Sequence, residues 1–218
     1  MRTILAFLVC GVVHLGSQPQ AHGQPRDDLG EQVRSAAEAR LSEFLSLIPP
    51  GQENRYGFHS REDFGEATIG YPYRVFTVDM PGTQTGRSAG VKPLNEWRTP
   101  IIVRGQSRAL LTVAKMDDQW EAVDFGGARL ALELAECEER NVHSPRALQR
   151  GILRLFDSSC DFLLLYDQQY PLDNAGVFPL ESARKALHRR GLPVMESGSL
   201  QDFLPVIMRL STNMDTQR

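Results

Sequence analysis

The sequence predicts an α+β domain in which an antiparallel sheet of about five or six strands carries amphipathic helices mainly on one face. Three observations support this fold class. Apolar residues recur at helical spacing between positions 28 and 48. Three β-prone segments with tight turns lie between 97 and 125, and a second pair lies between 152 and 166. Because short turns join successive segments, we expect antiparallel pairing.

The first helix is expected to begin at Asp28, because Glu31 lies three residues further on, as in a capping box. Pro49-Pro50-Gly51 would end it. Ser60 to Ala67 predicts a short helix. Tyr73 to Asp79 alternates between apolar and polar residues as a strand does, and residues 80–96 are rich in glycine and proline, which favours a long loop.

The second half of the chain also combines predicted strands and helices. Trp97–Val103, Arg108–Lys115 and Trp120–Phe125 predict an antiparallel meander. Ala128 to Glu139 favours a helix, and a hairpin is expected to follow between Ile152 and Tyr166. Two further helices are predicted. The first covers 180–190 and would end at Gly191, and the last is capped by Ser199 and Asp202.

The first 23 residues have the three parts of a secretory signal peptide. Arg2 precedes an apolar run from Ile4 to Leu15, and a polar stretch ends in Ala21-His22-Gly23, with small residues at the positions that precede a cut. The twelve residues of this run would form a helix of about 18 Å. That helix is too short to span a hydrocarbon core of roughly 30 Å. We therefore predict a signal peptide at 1–23 and a single exported α+β domain at 24–218, either periplasmic or secreted.

Composition disfavours several classes of function. The chain has 24 Lys and Arg against 27 Asp and Glu, a net charge of −3. This balance gives no electrostatic reason to expect nucleic acid as a partner. No apolar stretch after the leader is long enough to span a bilayer. The chain also lacks the HExxH, CxxC and Asp-rich patterns of metal sites and the glycine-rich loops that hold phosphates, so we expect neither a metal nor a cofactor.

Two cysteines remain after the leader, Cys137 and Cys160. In an oxidising compartment an even number of cysteines favours a disulfide. This bridge would close a loop of about 23 residues and stabilise the domain by roughly 3 kcal/mol. The alternative is a pair of unpaired, buried cysteines.

Four aromatic residues are the candidate binding residues: Tyr71, Tyr73, Trp97 and Trp120. Exposed together, they would form a docking surface for a polypeptide or a sugar. Buried, they would belong to the core, because the two tryptophans open neighbouring strands.

Catalytic patterns are weak, and no GxSxG nucleophile elbow occurs. His59 is followed by Asp63 and Glu66, and a carboxylate near an imidazole can serve acid–base chemistry. The same acids also suit the first turn of a short helix. Cys160 with His143 or His59 as its base is a further nucleophile candidate, although a structural role is more typical of such a cysteine.

The sequence therefore predicts a non-catalytic exported binding or accessory module, with a polypeptide as the candidate partner. Two alternatives remain open. The first is an exported hydrolase of unrecognised type that uses His59 with Asp63 or Glu66. The second is a structural component of the cell envelope. The oligomeric state is left open.

Overall fold

The computed structural model describes residues 28–79, 90–141 and 148–211. The described residues form four α-helices and one sheet. The helices are α1 (Asp28–Ser46), α2 (Ala128–Asn141), α3 (Glu181–Arg189) and α4 (Leu200–Ser211). The strands are β1 (Thr68–Ile69), β2 (Tyr73–Asp79), β3 (Gly90–Val103), β4 (Gln106–Met116), β5 (Gln119–Gly126), β6 (Gln149–Leu155), β7 (Cys160–Tyr166), β8 (Gly176–Pro179) and β9 (Gly198–Ser199). Short 3-10 helices lie at Glu53–Tyr56, Arg61–Glu66 and Leu172–Asn174.

The sheet is mixed, with the strand order β5-β4-β3-β2-β6-β7-β8-β9 and β1 paired to β3. Every pairing is antiparallel except that of β2 with β6, which is parallel. Two antiparallel blocks therefore meet at one parallel seam. Helix α2 separates the blocks in sequence, as expected because parallel strands need a long crossover connection.

Backbone contact at the seam is close. Gly151 of β6 lies opposite Arg74 of β2. A Cβ atom built on Gly151 would lie 2.7 Å from the ring of Phe76. Any larger residue would push against a buried aromatic ring, so glycine lets the two blocks approach each other.

The predicted α+β class is confirmed, but the sheet has nine strands in the described residues, not five or six. The sequence predicts a loop over 80–96, but residues 90–96 form the first half of β3. It contains Lys92, Pro93 and Asn95, which lack the alternation of a half-buried strand. Strands β1, β8 and β9 have only two to four residues each, which is too short for a pattern to show.

Helices cover both faces of the sheet. On one face, α1 packs over β5, β4 and β3, and α4 packs over β7 and β8. The α1 cluster includes Val33, Ala37, Trp97, Ile101 and Leu111. The α4 cluster includes Phe162, Leu164, Phe203 and Ile207. On the opposite face lies the α2 cluster, which includes Leu110, Leu134, Ile152, Leu163 and Leu165.

The expectation that helices lie mainly on one face is therefore only partly matched. Side chains alternate along a strand. Accordingly Leu164 of β7 belongs to the α4 cluster and Leu163 to the α2 cluster. Register partners link Trp97 to Arg74, Arg74 to Gly151, and Gly151 to Leu164. Register partners lie on the same face of a sheet, so Trp97 of the α1 cluster and Leu164 of the α4 cluster share one face. Helices α1 and α4 therefore lie on one side of the sheet, and α2 lies on the other.

The predicted disulfide is wrong for this fold, because Cys137 and Cys160 are both free and buried. Cys137 belongs to the α2 cluster and Cys160 to the α4 cluster. Cys160 opens β7 on the same side as Phe162, so the sheet lies between the two sulfur atoms. Burial raises the pKa of both thiols, which keeps them protonated and unreactive.

Across the three described ranges, no helix is both long and apolar enough to cross a bilayer. The leader predicted at 1–23 lies outside those ranges, as do the segments 80–89 and 142–147. His143, one of the two candidate bases for Cys160, falls in the second of these segments.

Candidate functional site

The four aromatic residues predicted to bind a partner do not share one exposed surface. Tyr73 is 3% exposed and Trp97 is 2% exposed. They lie on opposite faces of the sheet, in the α2 and α1 clusters respectively. Tyr71 is 39% exposed and donates a hydrogen bond to Gln149 Oε1 at 2.7 Å. Trp120 is half-buried at the start of β5.

Tyr73 has a structural partner. Its hydroxyl donates a hydrogen bond to Glu138 Oε2 at 2.8 Å, and Arg150 pairs with the other oxygen of the same carboxylate. Burial raises the pKa of Tyr73 to about 12. These contacts fasten α2 to β2 and β6, so Tyr73 holds the α2 face together.

The proposed acid–base group around His59 forms a charged clamp. The backbone N–H of His59 donates to Asp63 Oδ2 at 2.8 Å. Asp63 is 1% exposed, and Arg104 approaches its Oδ1 to 3.4 Å. Arg104 also holds both oxygens of Glu66, with distances of 2.8 and 2.5 Å. We call Asp63, Glu66 and Arg104 the Arg104 clamp.

These hydrogen bonds explain the electrostatics of the clamp. The backbone N–H of His59 is the main cause that lowers the pKa of Asp63, and Arg104 is the main cause that lowers the pKa of Glu66. The clamp ties the 3-10 helix at Arg61–Glu66 to the turn between β3 and β4. The His59 side chain is exposed. Asp63 and Glu66, the two carboxylates that the hydrolase prediction pairs with His59, are thus already engaged by a backbone N–H and by Arg104. The hydrolase remains a prediction.

A basic cleft lies between α3 and the turn that joins β6 to β7. Its volume is about 640 Å³. We call it the α3 cleft, and its lining residues are Ser159, Ser182, Arg184, Lys185, His188, Arg189 and Val194. A smaller cleft of about 280 Å³ continues past the same turn and shares Arg189 with it. Asp157, Ser158 and Arg190 also line the smaller cleft.

The fold fixes α3 rigidly in this position. The N–H of Leu180 donates to the carbonyl of Asp161 at 3.1 Å, and the N–H of Asp161 donates to Ser182 Oγ at 3.0 Å. Ala183, Ala186 and Leu187 are buried in the α4 cluster. The apolar side of α3 therefore faces the core, and its basic side lines the cleft.

Charges in the cleft are only partly neutralised within the protein. Arg184 lies 3.6 Å from Glu133, and Lys185 lies 2.5 Å from Glu181. Hydrogen bonds from Arg129 and Lys185 lower the pKa of Glu181 to about 2. His188 and Arg189 are exposed in the last turn of the helix. A bound anion would meet these two side chains first.

Sequence reasoning missed this cleft, although a signal was present. Residues 184, 185, 188 and 189 are spaced so that i and i+4 pairs place four bases on one side of a helix. Taken alone, this segment predicts only an amphipathic helix. The turn at 157–159, which forms the other wall, is distant in sequence and gave no indication of its position.

No group of three or more His, Cys, Asp or Glu side chains that could hold a metal ion occurs in the part of the chain that the structure describes. The chain matches none of the family models, the curated proteins or the solved structures with which it was compared.

Proposed function

We propose that this protein is an exported, non-catalytic binding module that holds an acidic segment of a polypeptide in the α3 cleft. The observation that carries the proposal is the cleft itself, in which four basic side chains of one helix line a single concavity. The leader-like segment at 1–23 is the basis for proposing export.

Charge favours a carboxylate-bearing ligand. The chain as a whole has a net charge of −3, yet α3 and its C-terminal neighbour Arg190 concentrate five basic or imidazole side chains in seven positions, 184–190. Arginine can hold a carboxylate through two hydrogen bonds at once. Exposed Arg189 lies where the two clefts meet. It is therefore the residue we expect to contribute most.

Shape favours an extended chain over a small anion. The two clefts adjoin each other on either side of the turn at 157–159, and Val194 adds an apolar wall. Phe156, next to this turn, is 57% exposed. A peptide with alternating acidic and apolar side chains would match both the bases and these apolar groups.

A structural interpretation of the same bases exists, because cations near the C-terminus of a helix stabilise it. Binding is therefore tested directly. The probe is a fluorescein-labelled peptide of alternating Glu and Leu, and its control replaces every Glu with Gln. We expect the anisotropy of the Glu peptide to rise with protein concentration, and its affinity to fall as salt is added.

The decisive variant is Arg189→Glu, with Arg55→Glu as its matched control. Both arginines are exposed, and both substitutions change the charge equally. Arg189→Glu should weaken binding of the Glu peptide by about tenfold or more, whereas Arg55→Glu should leave it nearly unchanged. Equal affinities for the two variants, or equal binding of the Gln peptide, would overturn the proposal.

A further inference from the structure

A second groove lies far from α3 in sequence, between the first turns of α1 and the turn that joins β4 to β5. Its volume is about 570 Å³. We call it the Trp120 groove, and its lining residues are Glu31, Gln32, Ser35, Asp118, Gln119 and Trp120. We propose that this groove binds a neutral saccharide, with a sugar ring against the indole of Trp120.

The wall formed by β4 and β5 is an antiparallel hairpin. Asp117 and Asp118 both have positive φ angles, 46° and 69°. This is the backbone of a tight two-residue hairpin turn, which aspartate tolerates. Lys115 pairs with Asp118 at 2.9 Å across the turn. The pairing of Gln119 with Met116 and of Trp120 with Lys115 sets the position of both residues beside the turn.

Trp120 is in contact both with the core and with the groove. It is half-buried and packs against the α1 cluster, while it also lines the groove. A partly buried indole is a large, flat surface that loses little conformational freedom when a ligand binds. Its π face is electron-rich and attracts the weakly positive C–H groups of a sugar ring.

Around the indole lie the groups that hydrogen-bond to hydroxyls. Gln32 and Gln119 each provide a donor and an acceptor, Ser35 provides a hydroxyl, and Glu31 and Asp118 provide acceptors. The facing residues Glu31, Gln32 and Ser35 lie on one side of α1, because i and i+4 positions are neighbours on a helix. A polyhydroxylated ligand can use all of these groups at once.

The Trp120 groove differs from the α3 cleft in the charge of its lining residues. Asp118 pairs with Lys115, and Glu31 lies 3.9 Å from Arg34. Asp118 is thus paired with a base, whereas Arg34 lies closer to Glu38, at 3.0 Å, than to Glu31. The groove therefore presents carboxylates, whereas the α3 cleft retains exposed bases. A neutral ligand suits this lining better than a polyanion does, and a cation is the alternative occupant that the experiment tests.

The experiment uses tryptophan fluorescence, because the chain contains only two tryptophans. Trp97 is 2% exposed, and its indole Nε1 has no hydrogen-bond partner among the described residues. Trp97→Phe therefore removes no hydrogen bond seen there and leaves Trp120 as the sole reporter. Maltohexaose, cellohexaose and chitohexaose are titrated separately into this variant.

We expect a saturable change in emission with at least one hexaose, at a concentration of about 1 mM or below. Isothermal titration of the same hexaose into Trp120→Ala should show no binding, while circular dichroism confirms the fold. Gln32→Ala should weaken binding several-fold. Arg189→Glu should bind the hexaose normally, which separates this site from the α3 cleft.

Three outcomes would overturn the inference. The first is the absence of a saturable response to all three sugars at that concentration. The second is a calorimetric signal that persists in Trp120→Ala. The third is a stronger response to tetramethylammonium than to any sugar, because it would identify the groove as a cation site.

Discussion

The Arg104 clamp and the α3 cleft are built from the same kinds of side chain, but they differ in how their charges are satisfied. In the clamp, Asp63 is buried and accepts a backbone N–H, while Arg104 holds both oxygens of Glu66. In the cleft, His188 and Arg189 are exposed at the end of a helix. Charges that are paired within the protein contribute stability, whereas the exposed charges of the cleft remain available to a ligand.

The clamp should show the largest effect on stability. Asp63→Ala removes the acceptor of the His59 N–H and leaves this part-buried donor without its partner. We expect the free energy of unfolding to fall by about 2 kcal/mol, measured by urea denaturation at neutral pH. Binding of the Glu peptide should not change. A loss of stability below about 0.5 kcal/mol would mean that the clamp is no more than a surface contact.

The pH dependence of stability should identify the same carboxylate. The folded state lowers the pKa of Asp63, so its contribution is complete above the unfolded pKa of about 3.9 and is lost as pH falls through the folded value. We compare the wild-type protein with Asp63→Asn by urea denaturation between neutral and acidic pH. The difference in stability between them should shrink on acidification. A difference that is independent of pH would exclude a role for the charge.

The smallest effect on stability should come from the cleft. Arg189→Ala removes an exposed cation, so we expect the free energy of unfolding to change by no more than about 0.5 kcal/mol. Its affinity for the Glu peptide should nevertheless fall several-fold. If the variant instead unfolds much more easily, Arg189 serves the helix rather than a ligand, and the contrast between the two clusters disappears.

Much of the fold was predictable because periodicity is a local property. The patterns of α1, α2, α3 and β7 identified those elements within a few residues of their observed ends. The parallel seam was not predictable, since nothing in β2 or β6 indicates which strand lies beside it. The disulfide failed for a related reason. Counting cysteines cannot show that alternation along β7 directs Cys160 away from α2.

The candidate sites, too, were predictable only in part. The sequence predicts Trp120 as a binding residue but groups it with Tyr73 and Trp97, which the fold buries on opposite faces. It identified the acids after His59 but not their partner, because Arg104 is about 40 positions away from them. The α3 cleft and the Trp120 groove are each formed by a helix and a hairpin turn that is distant in sequence. No contiguous segment of the chain therefore indicates either site in full.

The seam between β2 and β6 also has a consequence for the order of folding. Thr77 Oγ1 donates to the carbonyl of Arg154, and these residues are 77 positions apart. The hairpins on either side join residues that are close in the chain, so they can form early, whereas pairing across the seam must first close a long loop. We expect the two blocks to form as separate units and their docking to limit the folding rate. A substitution at Gly151 would then slow folding more than it accelerates unfolding.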